Sequence, residues 1–347
     1  MRRLIIAIFG LLAAVGAAMA ATPNLVEACA GLIGPNGAVN LGRTTTLAAY
    51  DDGIEHYVTS FEFLGGGGEF GTLVPLPGVP TSVERGGAWT LQRLVLETEP
   101  PPPFAAREAA LGAAVDDKAE VLLEVRIDAL DITVLRGGAA SVAEWATDHG
   151  FRLSPDAPEV LDFYAARSPI FLAAVFDGDA ASERGQQFGD GTPVHITMPT
   201  ENPWVPLRIL ALGKSPADRV DADVYLLTDR SPALLPAPND GMALTHSAPA
   251  TDLLLDDLRS DQGMGWIPES AWLTKLEINS AASDLNYDLA VDTSGLNRPS
   301  PVAAGLALPD IGGEGVPLSY IWVAVAAAGC VIVLIALNAR HPVTERT

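Results

Sequence analysis

Through much of this chain apolar residues recur at every second position, the period of a strand with one buried face, and only short stretches turn to a helical repeat. Arg43 to Tyr50 and Ile54 to Phe63 are rich in Thr, Tyr, Val and Phe and flank Asp51-Asp52-Gly53, which predicts a hairpin closed on an Asp-Gly turn. Tyr57, Phe61 and Phe63 share one face of its second strand, interrupted by Glu55 and Thr59. Thr72 to Pro80 (TLVPLPGVP) is extended, and its closely spaced prolines predict an edge strand or a free extended segment. Ala88 to Glu97 favours a short helix through Leu91, Leu94 and Val95. Glu120 to Leu135 alternates, but its apolar phase changes from odd to even positions near Ala129, which demands a bulge or a bend.

Two helices follow. Ser141-Val142-Ala143-Glu144 reads as a capping box for a helix ending before Gly150. Asp156-Ala157-Pro158-Glu159 opens a second helix, stopped by Ser168-Pro169. Strands are predicted at Ile170 to Phe176, Val194 to Met198, Val205 to Ala211, Val220 to Leu227, Trp272 to Ile278 and Leu285 to Val291. A helix is predicted from Asp252 to Leu258, and a polar loop from Asp177 to Thr192. The order is strands with an inserted helical pair, so the expected fold is α+β and β-dominated, with antiparallel sheets in a sandwich-like arrangement. The expected folded domain covers 21–291, with subdivision possible near 98–104 or 136–169, and a Gly/Pro/Ser-rich stalk at 292–317.

The two ends change the picture from a globule to a tethered one. Met1-Arg2-Arg3, the apolar run Leu4 to Val15 and Ala18-Met19-Ala20 form an export signal, residues 1–20, cleaved between Ala20 and Ala21. Leu318 to Ala339 is an uncharged stretch of 22 residues, which as a helix reaches about 33 Å and matches a bilayer core of about 30 Å. Tyr320 and Trp322 stand near its outer end, and Arg340, His341 and Arg346 lie in the 340–347 tail, a basic cytoplasmic flank. The expectation is a single-pass type I protein of the cell membrane, N-terminus outside. Lipidation of Cys29 fits less well, because Glu27 stands two residues before it and the A-x-A site lies upstream.

Charge then narrows the partners. Of 43 acidic residues only Glu345 lies outside 21–317, and of 21 basic ones Arg2, Arg3, Arg340 and Arg346 do, so the region holds 42 acids against 17 bases, a net of −25. Such a surface repels nucleic acid and anionic headgroups and attracts cationic partners, while also serving solubility alone. Cys330 falls in the span, which leaves Cys29 as the ectodomain's only thiol and excludes an internal disulfide. Cys29 either stays buried among Ala28, Ala30, Leu32 and Ile33 or pairs with another chain.

Motifs for chemistry are absent from the sequence. Gly66 to Gly71 (GGGEFG) has the letters of a dinucleotide loop, but Pro75 and Pro77 forbid the helix such a loop must open. His56, His149, His195 and His246 are isolated, with no metal-ligand spacing. Asp177-Gly178-Asp179 begins like a calcium loop without the later ligands. No G-x-S-x-G is present and Cys29 has no local base. No catalytic, cofactor-binding or metal-binding residue is assigned, and no cofactor is expected. The candidate partner-binding residues are Trp204, framed by Pro203 and Pro206, and Trp266 and Trp272, which flank Pro268; the competing reading, which the strong preference of large aromatics for burial favours, is that these rings plug the core at strand ends.

Cys29 with its small neighbours, Thr72 to Pro80, Ser141 to Phe176, Pro203 to Asp229 (PWVPLRILALGKSPADRVDADVYLLTD) and Leu254 to Leu273 with its LRSDQGMGW core together resemble the bacterial domain of unknown function 2330. The resemblance implies an exported protein, often with a C-terminal span, and supplies no activity. The expected function is a non-enzymatic surface module that binds a cell-envelope component or a protein partner. The alternatives are an envelope hydrolase with dispersed catalytic residues, which requires a polar cleft holding carboxylates or His195, and a structural subunit of a membrane complex.

Overall fold

The computed structural model describes residues 31–34, 37–38, 43–62, 68–98, 121–186 and 191–309. The export signal with its Ala20–Ala21 junction, Cys29, the four prolines at 100–103 and the apolar stretch 318–339 lie outside these residues. Among the described residues no helix is long and apolar enough to cross a membrane.

Sixteen strands and five α-helices are described, and the fold is mostly β with few helices. A seven-stranded sheet contains β3 (Arg43–Asp51), β4 (Ile54–Glu62), β6 (Ser82–Arg85), β10 (Gly191–Pro199), β12 (Arg219–Thr228), β14 (Met242–Pro249) and β15 (Trp272–Ala281). Its order is β14-β15-β12-β3-β4-β10-β6. All its pairings are antiparallel except β12 with β3, which run parallel from Asp221 opposite Arg43 to Leu227 opposite Ala49. A six-stranded antiparallel sheet contains β1 (Gly31–Gly34), β2 (Gly37–Ala38), β5 (Glu69–Pro75), β7 (Val121–Ile127), β8 (Leu130–Arg136) and β9 (Ile170–Asp177) in the order β2-β1-β5-β9-β8-β7. A small third sheet joins β11 (Trp204–Val205), β16 (Leu289–Asp292) and β13 (Ala233–Leu235).

Alternation along the strands assigns three apolar layers. Tyr57, Ile196 and Val224 of the large sheet meet Val74, Ile132, Leu172 and Phe176 of the six-stranded sheet in one central core. The opposite face of the six-stranded sheet, through Leu73, Phe171 and Ala173, packs on Trp145 of α2 (Ala139–Asp148) and on Leu161 and Tyr164 of α3 (Ala157–Ala165). The opposite face of the large sheet, through Leu47, Val58, Tyr225 and Leu273, is covered by Leu91 and Leu94 of α1 (Thr90–Thr98) and Leu254 and Leu258 of α5 (Asp252–Ser260). Two facing sheets are thus each backed by a helical pair.

Local chemistry explains the elements and several departures from expectation. The β3–β4 hairpin closes on Asp52 and Gly53, both at positive φ, a turn whose twist matches its strands. The phase change near Ala129 is a hairpin turn: Asp128 takes φ 56° and Ile127 pairs with Leu130, so β7 and β8 face the same layer in opposite directions. β5 is an interior strand, not an edge, because Pro75 is its last residue and costs no interior ladder bond; the amide of Leu76 still donates to the carbonyl of Ile170 at 3.0 Å. Helix α2 begins at Ala139 after Gly138, so Ser141 is inside the helix and is not its cap. Asp156 precedes α3 without a side-chain cap bond; its Oδ2 accepts instead from the Gly213 amide at 2.9 Å. Of Val205 to Ala211, predicted as one strand, only Val205 is extended, as the second residue of β11, and Arg208–Ala211 forms a 3-10 turn. Asp177 caps the short helix α4 (Gly178–Glu183) by accepting from Ala180 N at 2.8 Å, which gives the calcium-like residues a structural role.

Beyond β16 the chain stays packed: Ala303 and Ala304 are buried against the α2–α3 layer, and the compact unit reaches Ala307. Thus the first part of the Gly/Pro/Ser-rich stretch belongs to the folded body.

Candidate functional site

The helix-side face of β4 carries His56 and Val58, and that of β10 carries His195 and Thr197. Register places Thr197 opposite His56 and His195 opposite Val58, so the two histidines are diagonal neighbours on one face. His56 Nδ1 and His195 Nε2 are 2.9 Å apart, one nitrogen donating to the other, and Thr197 Oγ1 lies 3.3 Å from the same His195 nitrogen. The indole of Trp266 lies flat on His56, with ring centroids 4.0 Å apart and an interplanar angle of 6°, and also stacks on His195 at 4.8 Å.

Trp266 reaches this position on the loop between α5 and β15, and that loop is held at several points. Thr251 caps α5 by accepting from Leu254 N at 3.2 Å. Asp261, just past the helix, is 5% exposed and accepts from Ala88 N, Trp89 N and Thr90 Oγ1 at 3.1, 2.9 and 2.9 Å, thereby capping α1 from a distant segment. A side chain at Gly87 would collide with Asp261 Oδ2 and Thr90 Oγ1, so only glycine lets this cap close. Met264 and Ile267 bury themselves beneath α1 and α5, and the carbonyl of Pro268 accepts from Arg259 Nη1 at 2.6 Å.

Beside this ring stack, where the parallel strands β3 and β12 both end, lies a cavity of about 240 Å³. Ala49, Tyr50 and Asp51 line it from β3, His56 from β4, and Leu227, Thr228 and Asp229 from the end of β12; Trp266, Pro268, Glu269 and Ser270 complete its wall. Three carboxylates and no Lys or Arg line it. Asp229 stands 3.6 Å from the exposed Arg230. Asp51 and Glu269 are exposed and form no ion pair among the described residues.

Burial sets the protonation of the histidines. It pushes His195 down to about 4, and nearby His56 adds to the fall. His56 is lowered by burial too, with Asp51 pulling the other way. Both imidazoles are therefore neutral at pH 7, and His195 Nδ1 is buried with no hydrogen-bond partner among the described residues. On the opposite face of β4, Glu55 is fully buried between the sheets and accepts from Tyr50 Oη at 3.2 Å; burial pushes its carboxyl up to about 8.

The three predicted tryptophans separate. Trp204 is 3% exposed, stacked 5.6 Å from Tyr164 and under the Arg167 guanidinium, so it is a core ring and offers no surface to a partner. Trp272 is partly buried, donates from Nε1 to Ser247 Oγ at 2.9 Å and does not line the cavity. Trp266 alone lines the cavity. Around Trp204 a second charged cluster is fully partnered. Asp288, wholly buried, accepts from Tyr164 Oη at 2.9 Å, Arg167 Nη2 at 2.6 Å, Leu207 N at 2.8 Å and Arg208 N at 3.0 Å. Three of these donors meet Oδ1 and one meets Oδ2, so the carboxylate ties α3 to the β11 and β16 segments.

Among the described residues no set of three or more His, Cys, Asp or Glu converges as a metal site. Gly68 leads directly into strand β5, so the glycine run opens no phosphate-binding helix.

A family profile described as an uncharacterized protein conserved in bacteria, DUF2330, matches residues 23–288. The chain belongs to that family. The match spans the central core, Asp261, Trp266 and both histidines of this DUF2330 chain, while 318–339 lies beyond it. No curated protein matches it. Among solved structures, baculovirus P35 after caspase cleavage is similar at 10% identity and a TM-score of 0.39, covering 73% of this chain and 99% of that one. A second structure, of baculovirus P35, is similar at 9% identity and a TM-score of 0.38, covering 72% and 96%. Superpositions this loose carry nothing about the DUF2330 chain's fold or function.

Proposed function

We propose that this DUF2330 chain is an extracytoplasmic binding module of the bacterial cell surface, anchored by residues 318–339, with its ligand site in the cavity beside Trp266. The observation that carries the reading is a preformed recess with an aromatic wall and two carboxylates, Asp51 and Glu269, outside any ion pair among the described residues, held by a loop fixed at Asp261, Met264 and Ile267. Preformed concave sites of this kind bind without reorganising, which lowers the cost of association. The anchoring rests on the N-terminal export signal and the uncharged C-terminal stretch with its basic flank.

The test has two parts. Protease added to intact cells should degrade 21–317 and spare the tail; the reverse pattern ends the topological reading. The full chain, purified from membranes and immobilised, should retain an envelope component that a Ser270→Tyr variant, with the cavity filled, releases. Equal retention by both forms, or none by either, ends the assignment of the site.

The hydrolase alternative is favoured by one observation, the hydrogen-bonded His56–His195 pair at the wall of a carboxylate-lined recess. His56→Gln would abolish turnover of an envelope ester or amide under that reading, and would leave ligand retention in place under the binding one.

A further inference from the structure

We infer that the cavity beside Trp266 takes an organic ammonium group, an inference that rests on its being a binding site. Four features of the recess point to that chemistry. Asp51 and Glu269 reach it from the β3–β4 turn and the α5–β15 loop, and neither is neutralised by a cation among the described residues. No Lys or Arg lines the wall, and its three carboxylates repel an anionic ligand. The indole of Trp266 and the apolar Ala49, Leu227 and Pro268 supply the kind of wall that favours alkylated nitrogen over a hydrated metal ion. A metal would need several converging donors, and the described residues converge none.

Size limits the ligand. At about 240 Å³ the cavity is smaller than the roughly 300 Å³ at which sites for drug-sized molecules begin, so it accepts a single head group with its chain leading out to solvent. Two sources present that group: a small free amine or quaternary ammonium compound, and the side chain of a lysine in a peptide. His56 in the wall and its partner His195 are both kept from protonating by burial, so they add no opposing charge at pH 7.

The experiment is calorimetric titration of the full chain in maltoside micelles. The probes are choline, its uncharged isostere 3,3-dimethylbutan-1-ol, and Nα-acetyl-lysine methylamide. At least one cation should bind, and the neutral isostere should bind about 10-fold more weakly or worse, because it forgoes both charge contacts. Added salt should weaken the cation and leave the isostere unchanged. Asp51→Asn with Glu269→Gln should reduce cation affinity by about 10-fold, with an unchanged urea midpoint because both residues are exposed. The tighter of the two cations identifies the source. Equal binding of choline and its isostere overturns the inference while sparing the binding reading, provided Ser270→Tyr blocks both. Absence of binding by either cation at about 10 mM overturns it as well.

Discussion

Glu55 gives the sharpest test of the packed interior. It sits on β4 directly opposite Tyr50 of β3, wholly buried between the two sheets. Burial raises its carboxyl from an ordinary 4.5 to about 8, against the smaller opposing effect of hydrogen bonds from Tyr50 and Thr200. The folded chain therefore keeps this proton up to about pH 8, whereas the unfolded chain releases it above 4.5. Stability from this group is complete below pH 4.5 and is lost progressively as pH rises to about 8. A displacement of 3.5 pH units between these two values, at 1.36 kcal/mol per unit, sets an upper bound of about 5 kcal/mol. That is a large fraction of a typical domain's stability of about 5–15 kcal/mol. Glu55→Gln keeps the shape and the acceptor for Tyr50 while removing the ionisation. Urea denaturation of a 21–309 fragment should show the variant within about 1 kcal/mol of wild type at pH 5, and more stable by about 3–5 kcal/mol at pH 8.5. The other titrating groups are common to both proteins and cancel in the difference. A constant difference at the two pH values would refute the reasoning.

His195 has the opposite slope: its folded value of about 4 lies below the ordinary 6.5, so its contribution is complete above pH 6.5 and is lost as pH falls towards 4. His195→Gln should flatten the acid limb of the stability curve by up to about 3 kcal/mol; an unchanged acid limb would contradict it. Trp266→Ala should let the His56 pKa climb towards 6.5, read from imidazole proton shifts in NMR, because the stacked ring that excludes water is gone. Asp288→Ala leaves the Arg167 guanidinium, itself 4% exposed, buried without its carboxylate, and should cost about 3–5 kcal/mol in urea denaturation. A loss below about 1 kcal/mol would show the cluster to be solvated. Thr251→Ala removes the cap of α5 and should cost about 1 kcal/mol in the same assay.

The parts of this fold that the sequence discloses are those whose signal is local. The Asp52-Gly53 turn, the β-branched and aromatic runs of β3, β4, β9 and β12, and the amphipathic α5 all follow from neighbours within ten residues. Short apolar runs are ambiguous: Val205 to Ala211 has the composition of a strand, and its break into a 3-10 turn depends on Leu207 N and Arg208 N bonding to Asp288, some 80 residues away. Strand β14 was missed because it is an edge strand exposed on most positions, which leaves no buried alternation to detect. Ser141 looked like a cap because a capping box is a pattern of letters, yet the backbone at Gly138 starts the helix earlier.

The site was less legible still. His56 and His195 are 139 residues apart, and only the β4–β10 register brings them to hydrogen-bonding distance. Each lies at a helix-side position of its strand, which is the one local hint that they share a face. The LRSDQGMGW stretch was visible as a shared feature of the family, but its purpose, Asp261 capping α1 while Trp266 covers the histidines, is purely tertiary. Conversely, Trp204 had the sequence surroundings of an exposed anchor and proved to be core, because the Arg167–Asp288 cluster closes over it.

The most direct test follows the Trp266 indole itself. Its Nε1–H is buried without a hydrogen-bond partner among the described residues, and its ring lines the cavity. In a heteronuclear NMR titration of the full chain with choline and acetyl-lysine methylamide, the indole resonance assigned to Trp266 by its loss in Trp266→Phe should shift saturably. The resonances of Trp145 and Trp204, both buried in the opposite helical layer, should stay in place. Saturable shifts at those two with Trp266 unmoved, or no saturable shift at any indole, would contradict a ligand site in this recess.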